Sequence, residues 1–424
     1  MTTWTAPTAS GPVTATVRLP GSKSMTARAL VLSALADGPA EIVRPLRARD
    51  TTLMAAGLRA LGVAVDTADD ERWLVEPGPL RGPAAVDVGL AGTVMRFVPP
   101  VAALADGTVT FDGDPQARHR PLGPLVAALR ALGVVIDASP AGGLPLTVYG
   151  TGLVEGGEAV IDASGSSQFV SALLLAAPRF TKGLALRHEG APVPSAPHLR
   201  MTVHMLRAAG AVVDDGVPDR WSVDPGPLRG RSWQIEPDLS GAAPFFAAAM
   251  VTGGAVTLAG FPADSWQPVG RFGELLTAMG GEVTHTPGGL TVRGTGALHP
   301  ITADLSEVSE LTPVVAALAA LADGRSELRG VAHIRGHETD RIAALARELT
   351  KVGATIVEHP DGLEITPGPL RPAVVETYDD HRMAHAAAVL GLAGEGIELS
   401  DVACTAKTLP EFPELWAALV TTRS

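Results

Sequence analysis

Two stretches of this chain carry residues suited to holding an anion. In Leu-Pro-Gly-Ser-Lys-Ser, Lys23 and Ser24 stand just before an apolar helical run that contains Arg28. A Gly/Ser turn feeding a helix start offers backbone N–H groups to a negative ligand, and the lysine and arginine add full charges. The order Gly-x-x-x-x-Gly-Lys-Ser/Thr is absent, so a nucleotide is poorly supported as that ligand. Ser166, Ser167 and Gln168 precede a second apolar run, Phe169 to Ala176, and put two hydroxyls and an amide at another helix start. There the helix dipole also favours negative charge. Glu310, in Glu-Val-Ser-Glu-Leu-Thr-Pro, reads as a helix-start carboxylate. Arg120, Arg341, Arg382 and Lys407 are cations that their spacing alone does not connect.

The elements that must position these residues repeat along the chain. An Ala/Leu-rich run closing on glycine and followed by a short β-like strand recurs at Gly38, Gly107, Gly183, Gly254, Gly324 and Gly396. A second pattern interleaves with it, as in LRALGVAV and LRALGVVI, with glycines at 62, 133, 210, 280 and 353. Six units are implied, the sixth without a second helix of its own. Each predicts a helix, a strand, a second helix closed by a glycine free to take positive φ, and paired strands around a turn. Leu53, Ala56, Leu58 and Leu61 supply the apolar spacing of one such helix, while Thr108 to Phe111 and Leu290 to Val292 read as strands. The tags EPGPLRG at 76–82, DPGPLRG at 224–230 and TPGPLR at 366–371 punctuate the same joint three times. Periodicity leaves open whether the units close a ring or divide into two threes.

Composition narrows the partners. With 424 residues and 46% hydrophobic content the chain can fill two ordinary cores. A net charge of -12 with no long basic block argues against nucleic acid, although a few cations can still make a locally positive site. The single cysteine, Cys404, allows no internal disulfide and no structural zinc site, which suits a reducing compartment. The opening MTTWTAPTAS lacks the basic start and apolar run of a secretory signal, and Gly, Asp or Pro interrupts the best apolar stretches. The expectation is a cytoplasmic protein that binds neither membrane nor nucleic acid.

Seven motifs in order carry a family resemblance. They are LPGSKSMTARAL at 19–30, AGTVMRF at 91–97, GDPQARHRPLG at 113–123, SGSSQFVSALLLAAP at 164–178, RGHETDRIAALARELTKVGA at 335–354, DDHRMAHAAAVLGL at 379–392 and CTAKTLPEF at 404–412. Together they resemble the 3-phosphoshikimate 1-carboxyvinyltransferases, the EPSP synthases, over essentially the whole chain. The resemblance implies an α/β fold of two similar domains, each of three βαβαββ units, facing across an active-site cleft. It implies domains of about 1–18 plus 238–424 and 19–237, a monomer that closes on its substrates, and no metal or organic cofactor. The implied substrates are phosphoenolpyruvate and shikimate 3-phosphate.

Matched to the family, Lys23, Ser24, Arg28, Ser166, Ser167, Gln168, Ser195, Glu310 and His337 are expected to bind shikimate 3-phosphate. Lys23, Gly92, Arg120, Gln168, Arg341, Arg382 and Lys407 are expected to bind phosphoenolpyruvate, with Gly92 letting backbone approach the ligand. Glu310 is the implied base, and Lys23, Lys407 and Glu338 are the other catalytic candidates. Asp340 is expected to brace an arginine. Five positions depart from many relatives: Leu90 for Asn, Phe97 for Pro, His198 for Tyr, His337 for Lys and Asp379 for Asn. Glu310 itself replaces Asp. The related transferase acting on UDP-N-acetylglucosamine usually has cysteine in the loop that is Gly-Asp-Pro-Gln-Ala-Arg-His-Arg here, and the serine pair also favours the shikimate substrate.

Overall fold

The computed structural model describes residues 3–421. Among the described residues the sequence repeat is realised as six separate sheets, five of four strands and one of three. The chain divides into two units, one of the residues up to Pro20 with those from Glu236 onward, the other Gly21–Ile235.

Within Gly21–Ile235 the middle sheet shows the repeat without interruption. Ala84–Asp87 lies parallel to Asp106–Asp112, with the helix Gly92–Ala102 between them in sequence. The helix Gly123–Ala131 then leads to Val135–Ala138 and Leu146–Thr151, which pair antiparallel and complete βαβαββ. Gly157–Ile161, Leu184–His188, Val213–Asp214 and Arg220–Val223 repeat that order. The remaining sheet takes its first parallel strand, Ser232–Gln234, from far downstream and sets it beside Ala40–Val43.

The other unit contains the same unit built from Thr302–Asp304, Ser326–Arg329, Thr355–His359 and Gly362–Thr366. In its second sheet Thr14–Val17 lies parallel to Ala255–Ala259. In the three-stranded sheet Ile397–Leu399 is flanked by Ala373–Val375 and Trp4–Thr5. One sequence expectation needs correction here: the sixth repeat does have a second helix, Phe412–Thr421. It has no closing glycine, so the pattern passed over it. Phe412 and Trp416 fix it to Phe245 at ring separations of 6.0 and 5.7 Å.

The second helices end as their glycines predict. Gly62, Gly133, Gly210, Gly280 and Gly353 have φ of 98, 87, 93, 98 and 113°, values that a Cβ would disfavour. The Pro-Gly tags then strap three of these ends. Arg81, Arg229 and Arg371 donate their backbone N–H to the carbonyls of Leu61, Ala209 and Val352 at 2.9, 2.8 and 2.9 Å. Each strap satisfies a helix-end carbonyl that has no partner within its own helix.

The first helices of the repeats form the core of each unit. Lys23–Ala34, Gly92–Ala102 and Ser167–Ala176 are buried along most of their length. Arg28 contacts both Phe97 and Ser171, each about one turn into its own helix, so the three helices enter the core from the same end. In the other unit Leu239–Thr252, Thr312–Ala320 and His381–Gly391 play this part. No helix among the described residues is long and apolar enough to cross a membrane.

Candidate active site

In the unit Gly21–Ile235 the predicted residues gather where its buried helices begin. Lys23 and Ser24 already lie in the first turn of Lys23–Ala34, and Ser22 occupies the cap position without a side-chain cap bond. Lys23 Nζ stands 3.3 Å from Asp50 Oδ2. Asp50 is buried in the first turn of Arg49–Ala60, and its Oδ1 has no hydrogen-bond partner.

Arg28 is 2% exposed and spends its donors on neutral oxygens. Its Nε donates to Thr202 Oγ1 at 2.7 Å, Nη1 to the Ser24 carbonyl at 2.9 Å, and Nη2 to the His198 carbonyl at 3.1 Å and Ser171 Oγ at 3.3 Å. Burial without a carboxylate among these partners pushes its pKa down to about 9, so the group stays charged near neutrality.

Ser166 caps the helix Ser167–Ala176, its Oγ accepting from Gln168 N–H at 3.2 Å. Gln168 Oε1 accepts from Arg96 Nη1 at 2.9 Å. Ser195 occupies the cap position of Ala196–Ala208 with φ of 55°, a left-handed conformation that costs a non-glycine residue free energy. Arg120 donates Nη1 to the Leu90 carbonyl at 2.9 Å. A Cβ on Gly92 would stand 2.9 Å from Arg120 Nη2 and 3.1 Å from Arg96 Nη1. The missing side chain of Gly92 therefore makes room for two guanidinium groups.

The other unit brings Glu310, His337, Glu338, Arg341, Arg382 and Lys407 together. Arg341 opens the helix Arg341–Lys351, whose cap Asp340 accepts from Ala343 N–H at 3.1 Å and pairs with Arg335 at 2.8 Å. Arg341 is fully buried and forks onto Asp380, Nε to Oδ2 at 2.7 Å and Nη2 to Oδ1 at 3.1 Å. It also reaches Glu338 Oε2 at 2.9 Å, Glu310 Oε2 at 3.2 Å and His337 Nδ1 at 2.9 Å. An arginine can only donate, so His337 Nδ1 accepts and any ring proton sits on Nε2.

Lys407 Nζ lies 2.5 Å from Glu338 Oε1, and both side chains are buried. Arg382 directs Nη1 to the Ser240 carbonyl at 2.6 Å and places Nε 4.0 Å from Glu310 Oε2. Desolvation alone would raise the Glu310 pKa. The charges of Arg341 and Arg382 outweigh it and hold the carboxyl well below the usual range, although 32% of the side chain is accessible. Arg341 shows the reverse balance: burial would lower its pKa, and Asp380, Glu338 and Glu310 raise it well above the usual range.

The family model of EPSP synthase (3-phosphoshikimate 1-carboxyvinyltransferase) matches residues 7–416. This chain belongs to the EPSP synthase family. An EPSP synthase from Acinetobacter baumannii is similar over 99% of this chain and 98% of its own, at 24% identity and a TM-score of 0.82. The enolpyruvyl transferase NikO from Streptomyces tendae is similar over 98% of this chain and 97% of its own, at 19% identity and a TM-score of 0.76. At these identities the likeness is one of fold, the repeated βαβαββ units in two domains. The general chemistry of the EPSP synthase family is enolpyruvyl transfer.

The departures from the EPSP synthase pattern acquire local explanations. Leu90 and His198 supply main-chain carbonyls to Arg120 and Arg28, a service independent of their side chains. Phe97 sets its ring 5.2 Å from the Arg28 guanidinium carbon, and His337 accepts from Arg341 where lysine could only donate. Asp379 takes φ of 54°, where asparagine is also favoured.

Sequence reasoning missed Asp50, Arg96, His333 and Asp380 as members of these clusters. Arg96 and Asp380 lie inside the motifs AGTVMRF and DDHRMAHAAAVLGL, which mark them in the sequence. Asp50 and His333 carried no such mark. His333 lies edge-on to His337 at 5.8 Å with Nε2 buried and unpartnered, and burial pushes its pKa down to about 4.

Proposed function

We propose that this chain transfers the enolpyruvyl group of phosphoenolpyruvate to the 5-hydroxyl of shikimate 3-phosphate, giving 5-enolpyruvylshikimate 3-phosphate and phosphate. The observation that carries this reading is the grouping of Glu310 with Arg341, Arg382 and the Lys407–Glu338 pair, in a chain of the EPSP synthase family. It joins anion receptors to a carboxylate able to move a proton. Arg28, Ser24, Ser166, Ser167, Gln168, Ser195 and His337 are assigned to shikimate 3-phosphate. Gly92, Arg120, Arg341, Arg382 and Lys407 are assigned to phosphoenolpyruvate, with Lys23 serving both substrates and Gln168 reaching across to the second.

In this mechanism Glu310 takes the proton of the 5-hydroxyl as its oxygen bonds to C2 of phosphoenolpyruvate. The Lys407–Glu338 pair gives a proton to C3, which becomes a methyl group. In the elimination step C3 returns a proton, the C2–O bond to phosphate breaks and the alkene is restored. A carboxylate held by two guanidinium groups is a weak base, so substrate binding must change its surroundings. When the carboxylate and phosphate of phosphoenolpyruvate draw on Arg341 and Arg382, Glu310 loses part of its compensation and its proton affinity rises.

The reading includes a monomer acting in the cytoplasm with no cofactor. It is tested by phosphate release from phosphoenolpyruvate, which should require shikimate 3-phosphate and stay near background with UDP-N-acetylglucosamine. Equal turnover with the nucleotide sugar would overturn the substrate assignment.

A further inference from the structure

The turn ahead of Asp380 is held in an unusual way. Tyr378 and Asp379 are successive non-glycine residues in the left-handed region, both with φ of 54°. Such residues persist only where their surroundings over-determine them, and a bulky tyrosine is the less tolerant of the two. The next residue, fully buried Asp380, forks onto Arg341 and accepts from Arg382 N–H at 2.9 Å. Strain therefore sits immediately beside the carboxylate that orients a substrate arginine.

A second contact explains how the turn is kept. Glu348 is buried on the same helix that begins with Arg341, seven residues further on, so the two residues share a face about two turns apart. Its Oε1 accepts from Tyr378 Oη at 2.6 Å, and its Oε2 accepts from the backbone N–H of Glu376 at 3.0 Å. The segment 376–380 is thus fastened to one helix at three residues, Arg341, Glu348 and Arg347, whose Nη1 donates to Tyr378 Oη at 3.3 Å.

We propose that Tyr378 is a positioning residue: its bond to Glu348 locks the left-handed turn before Asp380 and thereby fixes the Arg341 guanidinium for phosphoenolpyruvate. This rests on the assignment of Arg341 made above. Tyr378 touches no substrate in this scheme. Removing its hydroxyl should let the turn relax, swing Asp380 and release Arg341 from its forked geometry, without disturbing Arg28 or the serines.

The test is Tyr378→Phe in the full chain, read by steady-state kinetics and by amide hydrogen exchange over 376–382. KM for phosphoenolpyruvate should rise about tenfold, the size expected when a hydrogen bond to a charged group is lost, while KM for shikimate 3-phosphate stays within about twofold. Exchange should quicken over 376–382 and the start of the Arg341 helix. Adding Asp379→Asn, which suits the left-handed turn, should recover part of the loss. Unchanged KM and exchange would overturn the proposal, and so would equal rises in both KM values, which mark a merely structural role. If the parental chain does not turn over these substrates, the reaction assignment falls. Exchange then decides alone: quickening confined to this segment upholds the clamp, and any other pattern removes it.

Discussion

Arg28 and Arg341 are both buried arginines at the starts of inner or flanking helices, yet their surroundings are opposite. Arg28 is held by hydroxyls and main-chain carbonyls and by the Phe97 ring. Arg341 is held by Asp380, Glu338 and Glu310. A buried cation without a carboxylate partner has charge left for an incoming anion. One that already pairs with carboxylates must share its charge between them and an incoming anion, and it fixes those carboxylates and lowers their proton affinity. In the unit Gly21–Ile235 the buried cation is thus free to receive charge, and in the other unit the cations both receive an anion and set the proton affinity of their carboxylate partners.

The largest expected effect probes the proton-moving side. Glu310→Gln keeps the size and much of the hydrogen bonding of the side chain but cannot take a proton near neutrality. Loss of a general base typically costs about 10²- to 10⁴-fold in turnover. Binding titrations should still detect both substrates, and phosphoenolpyruvate should bind no more weakly, because a negative charge has left the neighbourhood of Arg341 and Arg382. Near-parental turnover at saturation would move the base role to another group, with Lys23, Glu338 and Lys407 the candidates.

Stability separates the two arginines. Arg341→Gln strands Asp380, which is fully buried, and breaking such a pair costs about 3–5 kcal/mol. Arg28→Gln loses four hydrogen bonds from a charged donor but also removes the penalty of burying a cation with no carboxylate partner, so its net cost should be smaller. Denaturant titration of both variants checks this. Equal losses would show that the neutral cage around Arg28 holds the fold as firmly as the carboxylates hold it elsewhere.

Much of this frame was legible in the sequence, for local reasons. A glycine that must take positive φ leaves a mark wherever a second helix ends, so five of these helices could be counted from Gly62, Gly133, Gly210, Gly280 and Gly353. Phe412–Thr421 has no such ending and was missed. Strand exchange was illegible to periodicity because strands as short as Ser232–Gln234 can pair with any similar edge. The site showed the same division. Lysines and arginines inside helix-start motifs announced themselves, whereas Asp50 looked like one more acidic residue in a first helical turn, where acids are common for electrostatic reasons. Its importance comes from burial beside Lys23, a property of the packed chain alone.

His385 tests whether charge balance in the second cluster extends beneath it. The ring is fully buried against Phe412 at 4.6 Å, and neither nitrogen has a hydrogen-bond partner. Burial first, then Arg382 and Arg341, keep its pKa well below the usual histidine value. Below about pH 6.5 the unfolded chain binds a proton that the folded chain refuses, so stability is lost as pH falls. The loss from this group should grow steadily as pH falls further below that value. His385→Leu should remove that dependence and raise stability at pH 5 more than at pH 8. Melting curves that shift equally at both pH values would show that His385 takes up its proton in the fold.

The smallest expected effect returns to Arg28 and asks for two trends of opposite sign. With its folded pKa pushed down to about 9 and its unfolded value higher, the unfolded chain binds more protons above pH 9. Stability attributable to Arg28 should therefore be flat below that pH and improve above it. Affinity for shikimate 3-phosphate should move the other way. The bound anion favours the charged guanidinium, so any deprotonation above pH 9 should weaken binding. Lysines titrate nearby, so the comparison is with Arg28→Gln, which should bind weakly throughout and lose that share of the pH dependence. Arg341, raised by its carboxylates, should contribute no such fall to phosphoenolpyruvate binding. If both affinities decline in parallel and Arg28→Gln follows the same curve, lysines set the behaviour, and the neutral cage does not make Arg28 the titrating receptor.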